Sequence, residues 1–257
     1  MNNNDLKLLR PYMIKNKYFF KNLMNISVEN VHPIIVFVGK NHYYFMALQS
    51  YKDKHKNIAY NLKKIILEGQ GEGYQMSIKS IIDNDVIYKV EKNLLNKNVF
   101  SEQKTKVKLI KSIEIKQIFD DLSKRLLKTP PEIALAEITL NKYKNTETKI
   151  IYASNSVMEL YKNAYVNHPE FSLSYLRDFE FMFSEKQVSK NFINHPTIQQ
   201  SELVKELEDL KSMFVWNIQE IINSNLSVDL SKIKLYKFRH KLDLGALNEN
   251  GNSLGMK

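Results

Sequence analysis

The chain has 257 residues, 43% of them hydrophobic and 26% charged, which excludes wholesale disorder and leaves ample length for a core. It has no cysteine, which excludes disulfides, thiolate zinc sites and cysteine nucleophiles. Lys and Arg number 38 against 28 Asp and Glu, a net charge of +10, and most of the excess lies early, with net +7 in residues 1–100 and +3 in residues 101–257, so a polyanionic partner is expected for the first part of the chain.

Only four basic residues are arginine (Arg10, Arg125, Arg177, Arg239). That bias, with abundant Asn, Ile and Lys, also fits an AT-rich genome. No apolar run approaches the roughly 20 residues of a spanning helix, and the start, MNNNDLKLLR, lacks a signal-peptide core. A cytoplasmic protein without a membrane partner is expected.

In chain order, residues 5–24 read as a polar start, a short strand and a helix over KYFFKNLMN. Pro33 opens two apolar runs, Val36 to Val38 and Tyr43 to Leu48, around Gly39-Lys40-Asn41. That pattern predicts a β-hairpin over 33–50, with strands buried in a core rather than lying on a wet face. Residues 51–64 are Lys-dense and read as an exposed loop or short helix. Ile65 to Leu67, the breaker GQGEG, and YQMSIKSIIDNDVIYKV follow, the last giving two short strands around Asp83-Asn84-Asp85. Four or five short strands within 10–92 suggest a small, strongly curved sheet or barrel.

Beyond residue 100 the rhythm lengthens. Ile113, Ile115, Ile118, Phe119 and Leu122 predict a helix to about Lys128, stopped by Pro130-Pro131. A second helix is expected from Pro131, and another over 154–167 capped by Ser154 or Ser156. The best helix is 199–223, with Leu203, Leu207, Leu210, Phe214, Ile218 and Ile221 on one stripe. Trp216, on that helix, reads as core rather than as a binding residue. The end, GALNENGNSLGMK, reads as a disordered tail.

For chemistry, the six histidines (32, 42, 55, 168, 195, 240) show no metal-ligand spacing. No phosphate-binding glycine loop or nucleophile elbow is present, and no cofactor is expected. One constellation remains. Residues 47–56 read Ala-Leu-Gln-Ser-Tyr-Lys-Asp-Lys-His-Lys, a strand that ends in the hydroxyl of Ser50 and leads into Lys52, Lys54, His55 and Lys56. Cleavage of a phosphodiester by an internal 2′-hydroxyl needs in-line positioning, positive charge on the phosphorane, and a proton for the leaving oxygen. Read by itself, the same run is a solvated Lys-rich loop.

Pro11-Tyr12-Met13-Ile14-Lys15-Asn16-Lys17-Tyr18 with Leu23 resembles the opening strand and helix of the ToxN/AbiQ family, the endoribonuclease toxins of type III toxin–antitoxin and abortive-infection systems. Leu48-Gln49-Ser50-Tyr51-Lys52-Asp53-Lys54-His55-Lys56 resembles that family's Leu-Thr-Ser-Pro-Lys motif and the basic residues after it. Ser80-Ile81-Ile82-Asp83-Asn84-Asp85-Val86 is similar to its Ile-Pro-Ile-Ile-Glu region. The resemblance covers residues 10–92. The chain also resembles proteins of mycoplasma integrative elements.

The resemblance implies an α+β fold: a small SH3-like curved β-barrel, as in MazF- and PemK-type RNA interferases, with helices packed around it. It also implies metal-independent RNA cleavage to 2′,3′-cyclic phosphate and 5′-hydroxyl ends, with RNA as substrate and as antitoxin. Ser50 and Lys52 match the active-site Ser and Lys, and His55 is the candidate general acid. His32 matches, by position, a basic residue before the central strand, and Gln49, Lys54 and Lys56 would contact RNA. Gln49 stands where the family has Thr, and Tyr51 where it has Pro.

The run Lys232 to Lys241 mixes five positive charges, among them Lys237 and Arg239, with Tyr236 and Phe238. It suits phosphate contact and base stacking, and equally an edge strand kept soluble by Lys. The expected organisation is a barrel over 1–100, a mainly helical extension over 101–224 attached outside it, and a basic strand and tail over 225–257. The rival to an endoribonuclease is a non-catalytic RNA- or DNA-binding or protein-interaction accessory protein of a mobile element.

Overall fold

The computed structural model describes residues 5–16, 18–20, 33–51, 64–68, 79–100, 110–159, 200–224, 226 and 228–237. The fold is α+β. Strands β1 (Pro11–Met13), β2 (Pro33–Val38), β3 (His42–Ser50), β4 (Ile65–Leu67), β5 (Ser80–Ile82) and β6 (Val86–Glu91) precede helices α1 (Lys92–Asn98) and α2 (Ser112–Leu126). Strands β7 (Ala134–Leu140) and β8 (Thr146–Ala153) and helix α3 (Gln200–Asn223) follow. The strands form one mixed sheet in the order β1-β2-β3-β6-β7-β8, with β5 beside the second half of β3 and β4 beside β5.

The hairpin falls where the sequence puts it, Val38 facing Tyr43 across Gly39-Lys40-Asn41 and Ile34 facing Ala47. Its apolar runs are unbroken because the sheet is buried on both faces. Ile35, Phe37, Tyr44, Met46 and Leu48 meet α2 and α3 on one side. Ile34, Val36, Tyr43 and Phe45 meet Tyr88, Leu95 of α1 and the N-terminal Phe19 and Phe20 on the other. Phe37 is the hub of the first core, in edge contact with Phe119 of α2 at 6.1 Å and Phe214 of α3 at 4.8 Å. Phe45 stacks on Tyr88 at 5.0 Å in the second.

Four expectations need correction. The sheet is open: β6 carries β7 on its far edge in parallel register, Val86 facing Ala134 and Val90 facing Ile138, so the strands extend outward instead of closing into a barrel. The helix expected from Pro131 is β7. Its Ala, Leu and Glu residues favour helix, but pairing with β6 and burial of Ala134, Leu135 and Ala136 override that preference. Residues 101–224 therefore add two strands to the sheet rather than standing outside it. Finally, six strands, not four or five, lie within 10–92.

The β7–β8 turn had a signal of its own in Asn141-Lys-Tyr-Lys-Asn145. The Asn141 side chain accepts hydrogen bonds from the Tyr143 and Asn145 amides at 2.9 and 3.1 Å, an Asx turn, and Lys144 takes a left-handed φ of 61°. Ser154 does cap a helical run from residue 155, its hydroxyl accepting from Val157 N at 3.3 Å. The helix expected over 17–25, beyond Phe20, and the C-terminal tail lie outside the described residues. Among the described residues no helix is long and apolar enough to cross a membrane.

Candidate functional site

Strand β3 changes partner along its length. Its first half, His42 to Phe45, pairs with β6, and its last three residues, Leu48 to Ser50, pair with β5. Strands β5 and β6 thus run as one interrupted strand alongside β3, with three extra residues pushed out around Asp83-Asn84-Asp85. At the far end Gln49 faces Ile81 and Ser50 faces Ser80. The Tyr51 amide extends the ladder, donating to the Lys79 carbonyl at 2.8 Å. Gln49 is exposed, and the Lys79 ammonium lies 4.9 Å from the Tyr51 ring centre.

The backbone of Ser50 is therefore held as the sequence implied. Its side chain, with Lys52, Lys54, His55, Lys56, His32 and Arg239, lies outside the described residues. Lys237 is described and exposed, but residues 234–237 are helical, so the basic strand expected there is a helical turn. Ile233 and Leu235 go into the core, and the Leu235 amide donates to Ser123 Oγ of α2 at 3.0 Å. Tyr236 packs against the same core rather than standing free to stack on a base.

The pushed-out residues build a buried ion cluster that no local motif announced. Lys64, the last residue of the Lys-dense segment, bonds Asp83 at 2.7 Å and also Asp85. Arg125 of α2 bonds Asp85 at 2.6 Å and Asp121 at 2.8 Å, and the Asn84 amide reaches the same Asp121 oxygen at 2.8 Å. The Asp85 side chain is 1% exposed, Lys64 9% and Arg125 11%. Burial by itself would lower the Lys64 ammonium. The charges of Asp83 and Asp85 and their hydrogen bonds outweigh it and hold its pKa above the ordinary lysine value. The opposing effects at Arg125 also end in a raised value, through Asp85 and Asp121. Nearby, the buried Glu114 carboxylate accepts the Glu68 amide at 3.0 Å, joining the end of β4 to α2. The one advance signal was Arg125 itself, a rare arginine four residues after an aspartate.

A second charged group lies at the opposite end of β6. Lys89 projects onto the face that α2 and α3 cover, directly between Tyr44 and Glu137 in neighbouring strands. Its ammonium bonds both oxygens of Glu206 of α3 at 2.7 and 2.9 Å and lies 3.5 Å from Glu137. Around this triad, between the β2–β3 turn and the first half of α3, is a cavity of about 990 Å³. Its lining includes His42, Tyr44, Asp209, Met213 and Trp216.

Gly39 closes the turn through a 3.0 Å bond from its amide to the His42 carbonyl. A Cβ there would sit 2.9 Å from that oxygen and 3.0 Å from the Tyr44 ring, so glycine lets the Tyr44 ring lie under the turn. Burial, and then the charges of Glu206, Asp209 and Glu137, push the Tyr44 phenol well up. Burial, and then Lys89, pull His42 below the usual histidine value. Asn217 fixes the helix to this end of the sheet, accepting from Val38 N at 3.0 Å and donating to Val38 O at 2.9 Å. Trp216 is 42% exposed, a correction to its reading as core. It lies two residues off the apolar stripe, on the cavity side.

Among the described residues no cluster of His, Asp and Glu is arranged to hold a metal. No protein-family model, curated protein or solved structure matches the chain.

Proposed function

We propose that the chain binds RNA at the end of β3 and cuts it without a metal, by attack of a 2′-hydroxyl that leaves 2′,3′-cyclic phosphate and 5′-hydroxyl ends. The observation that carries this reading is the anchoring of the β3 end. Gln49, Ser50 and Tyr51 are registered on Ile81, Ser80 and Lys79 immediately before Lys52, Lys54, His55 and Lys56. A hydroxyl on a fixed strand end followed by concentrated positive charge suits phosphate positioning and charge stabilisation. The β2–β3–β5 corner, where β3 leaves β6 for β5, is the part of this open sheet that we read as related to a curved SH3-like barrel. Lys52 then stabilises the phosphorane, Ser50 hydrogen-bonds a non-bridging oxygen, and His55 protonates the leaving oxygen.

The test is digestion of total RNA in EDTA by wild type, Ser50→Ala, Lys52→Met and His55→Ala, with RNA binding measured in parallel. Loss of Lys52 or Ser50 is expected to cost about 10²–10³ in rate with RNA still bound. Three phosphate contacts predict a salt slope of about −2 in log K against log salt. Wild-type protein that binds RNA and never cuts it overturns the enzyme reading. The rival, an RNA-binding module, would then stand, and the exposed Gln49 with Tyr51 beneath the Lys79 ammonium is the feature that favours it. A flat salt dependence overturns both.

A further inference from the structure

We infer that the cavity beside Lys89 is a binding site for an organic cation, an alkyl amine or guanidinium group on a hydrocarbon or planar body. This is independent of the RNA reading and uses other residues.

Three observations carry it. First, the cavity has a polar floor that the fold leaves incomplete. The Tyr44 side chain is buried, 5% exposed, and lines the cavity, yet its hydroxyl has no hydrogen-bond partner among the described residues. The hydroxyl is not sealed from solvent; it opens into the cavity, where a ligand group can meet it. Second, the charge is of the wrong sign for an anion. The buried cation of this cavity, Lys89, is already answered by Glu206 and Glu137. Asp209 stands on the next turn of α3 after Glu206 without a counter-ion among the described residues. Lys40 and Lys205 are at the exposed rim.

Third, an aromatic surface is within reach of that carboxylate. Glu202, Glu206, Asp209, Met213 and Trp216 recur at three- and four-residue intervals along one face of α3. Asp209 and Trp216 are therefore about 10 Å apart along the axis, the span of a short polyamine or an arginine side chain with its backbone. Carboxylate, phenol and indole around one opening form a receptor for ammonium and guanidinium groups. Convergent polar groups in a cavity mark ligand sites.

Trp216 is the sole tryptophan, so its fluorescence reports on this cavity alone. The experiment titrates RNA-free protein with spermidine, agmatine and N-acetyl-arginine amide, with AMP and inorganic phosphate as anionic controls. Saturable change with at least one cation is expected, and none with the anions. A net charge of +10 works against loose cation binding elsewhere. Tighter binding of the blocked arginine than of agmatine assigns the site to a peptide side chain, and the reverse to a free amine. Asp209→Asn, an exposed helix position whose loss does not threaten the fold, is expected to weaken binding about 10- to 100-fold. Tyr44→Phe weakens it by a smaller factor. No saturable response to any cation, equal affinity in Asp209→Asn, or binding of AMP or phosphate as tight as that of the cations overturns the assignment.

Discussion

The two ion clusters on β6 are about four residues apart along one strand, roughly 13 Å, and they solve the same problem in opposite ways. At Asp85 the shared carboxylate is closed in, while the outer ones, Asp83 and Asp121, are 29% and 24% exposed. Two cations from β4's entry and α2 meet carboxylates on both sides of the pushed-out loop, and Asp85 itself is all but sealed from solvent. At Lys89 one ammonium is met by carboxylates that are about a third exposed, and the group opens onto a cavity. A buried pair whose desolvation is met from every direction acts as a fastener. It ties the last residue of the Lys-dense segment to the core helix. A cluster with one side open can exchange its partners, and that is where a ligand fits. The contrast makes the first cluster a device of stability and the second a device of recognition.

The largest effect is expected at the closed cluster. Asp85→Ala removes the carboxylate that Lys64 and Arg125 share and leaves Lys64 to Asp83 and Arg125 to Asp121, and losing both buried charge-assisted bonds costs about 3 kcal/mol. Urea unfolding followed by circular dichroism should show the midpoint fall with the slope unchanged. Because Lys64 ends the Lys-dense segment, the proposed RNA binding predicts that the surviving folded fraction also loses RNA affinity. A stability loss under about 1 kcal/mol would mean that water reaches Asp85 and the fastener reading is wrong.

A smaller loss is expected at the open cluster. Lys89→Met keeps the stem's packing and removes the ammonium, leaving Glu206 and Glu137 able to turn toward solvent. The cost should be on the order of 1–2 kcal/mol, measured in the same urea series. Should Lys89→Met prove as damaging as Asp85→Ala, the two clusters are one kind of structure and the comparison collapses.

The unequal legibility of the fold has the same physical root. The β2–β3 hairpin was readable because burial of both faces writes itself into adjacent residues, as Ile34 to Phe37 and Tyr43 to Met46 do. Helices α2 and α3 were readable from stripes such as Leu210, Phe214 and Ile218. Strand β7 was not, because Ala134 to Glu137 are strand only through their partner β6, and local composition points the other way. Neither ion cluster was readable as a cluster, and Arg125, four residues after Asp121, was the single hint of one. Lys89 and Glu206 are 117 residues apart, and Lys64 and Arg125 meet only because a three-residue outpouching carries Asp83 and Asp85 to both. Trp216 is the instructive error: size argued for core, while its place off the Leu210–Phe214–Ile218 stripe argued for exposure. The periodicity was the better guide.

The smallest effect separates the clusters by pH. His42 lines the cavity, paired with Glu91 across the strands and near Lys89, Glu137 and Glu206. Burial, and then the Lys89 charge, favour the neutral ring over the influence of those carboxylates, so its folded pKa lies below the unfolded value of about 6.5. The sign follows from linkage. The unfolded chain takes up a proton on this residue more readily than the folded one. Its contribution to stability is therefore intact above pH 6.5 and is lost as pH falls through the folded value. In that same acid range a new positive charge enters the cavity and competes with any cation bound there. Lowering the pH from 7.5 to 5.5 should weaken cation binding, read from Trp216 fluorescence, and His42→Asn should remove the His42 part of that dependence while leaving affinity at pH 7.5 within about twofold. No such dependence is expected at the closed cluster, which has no histidine among its bonded partners. A pH profile for cation binding identical in wild type and His42→Asn would show that the imidazole does not sense the cavity's charge, and with it would go the claim that this cluster, unlike the one at Asp85, is open to exchange.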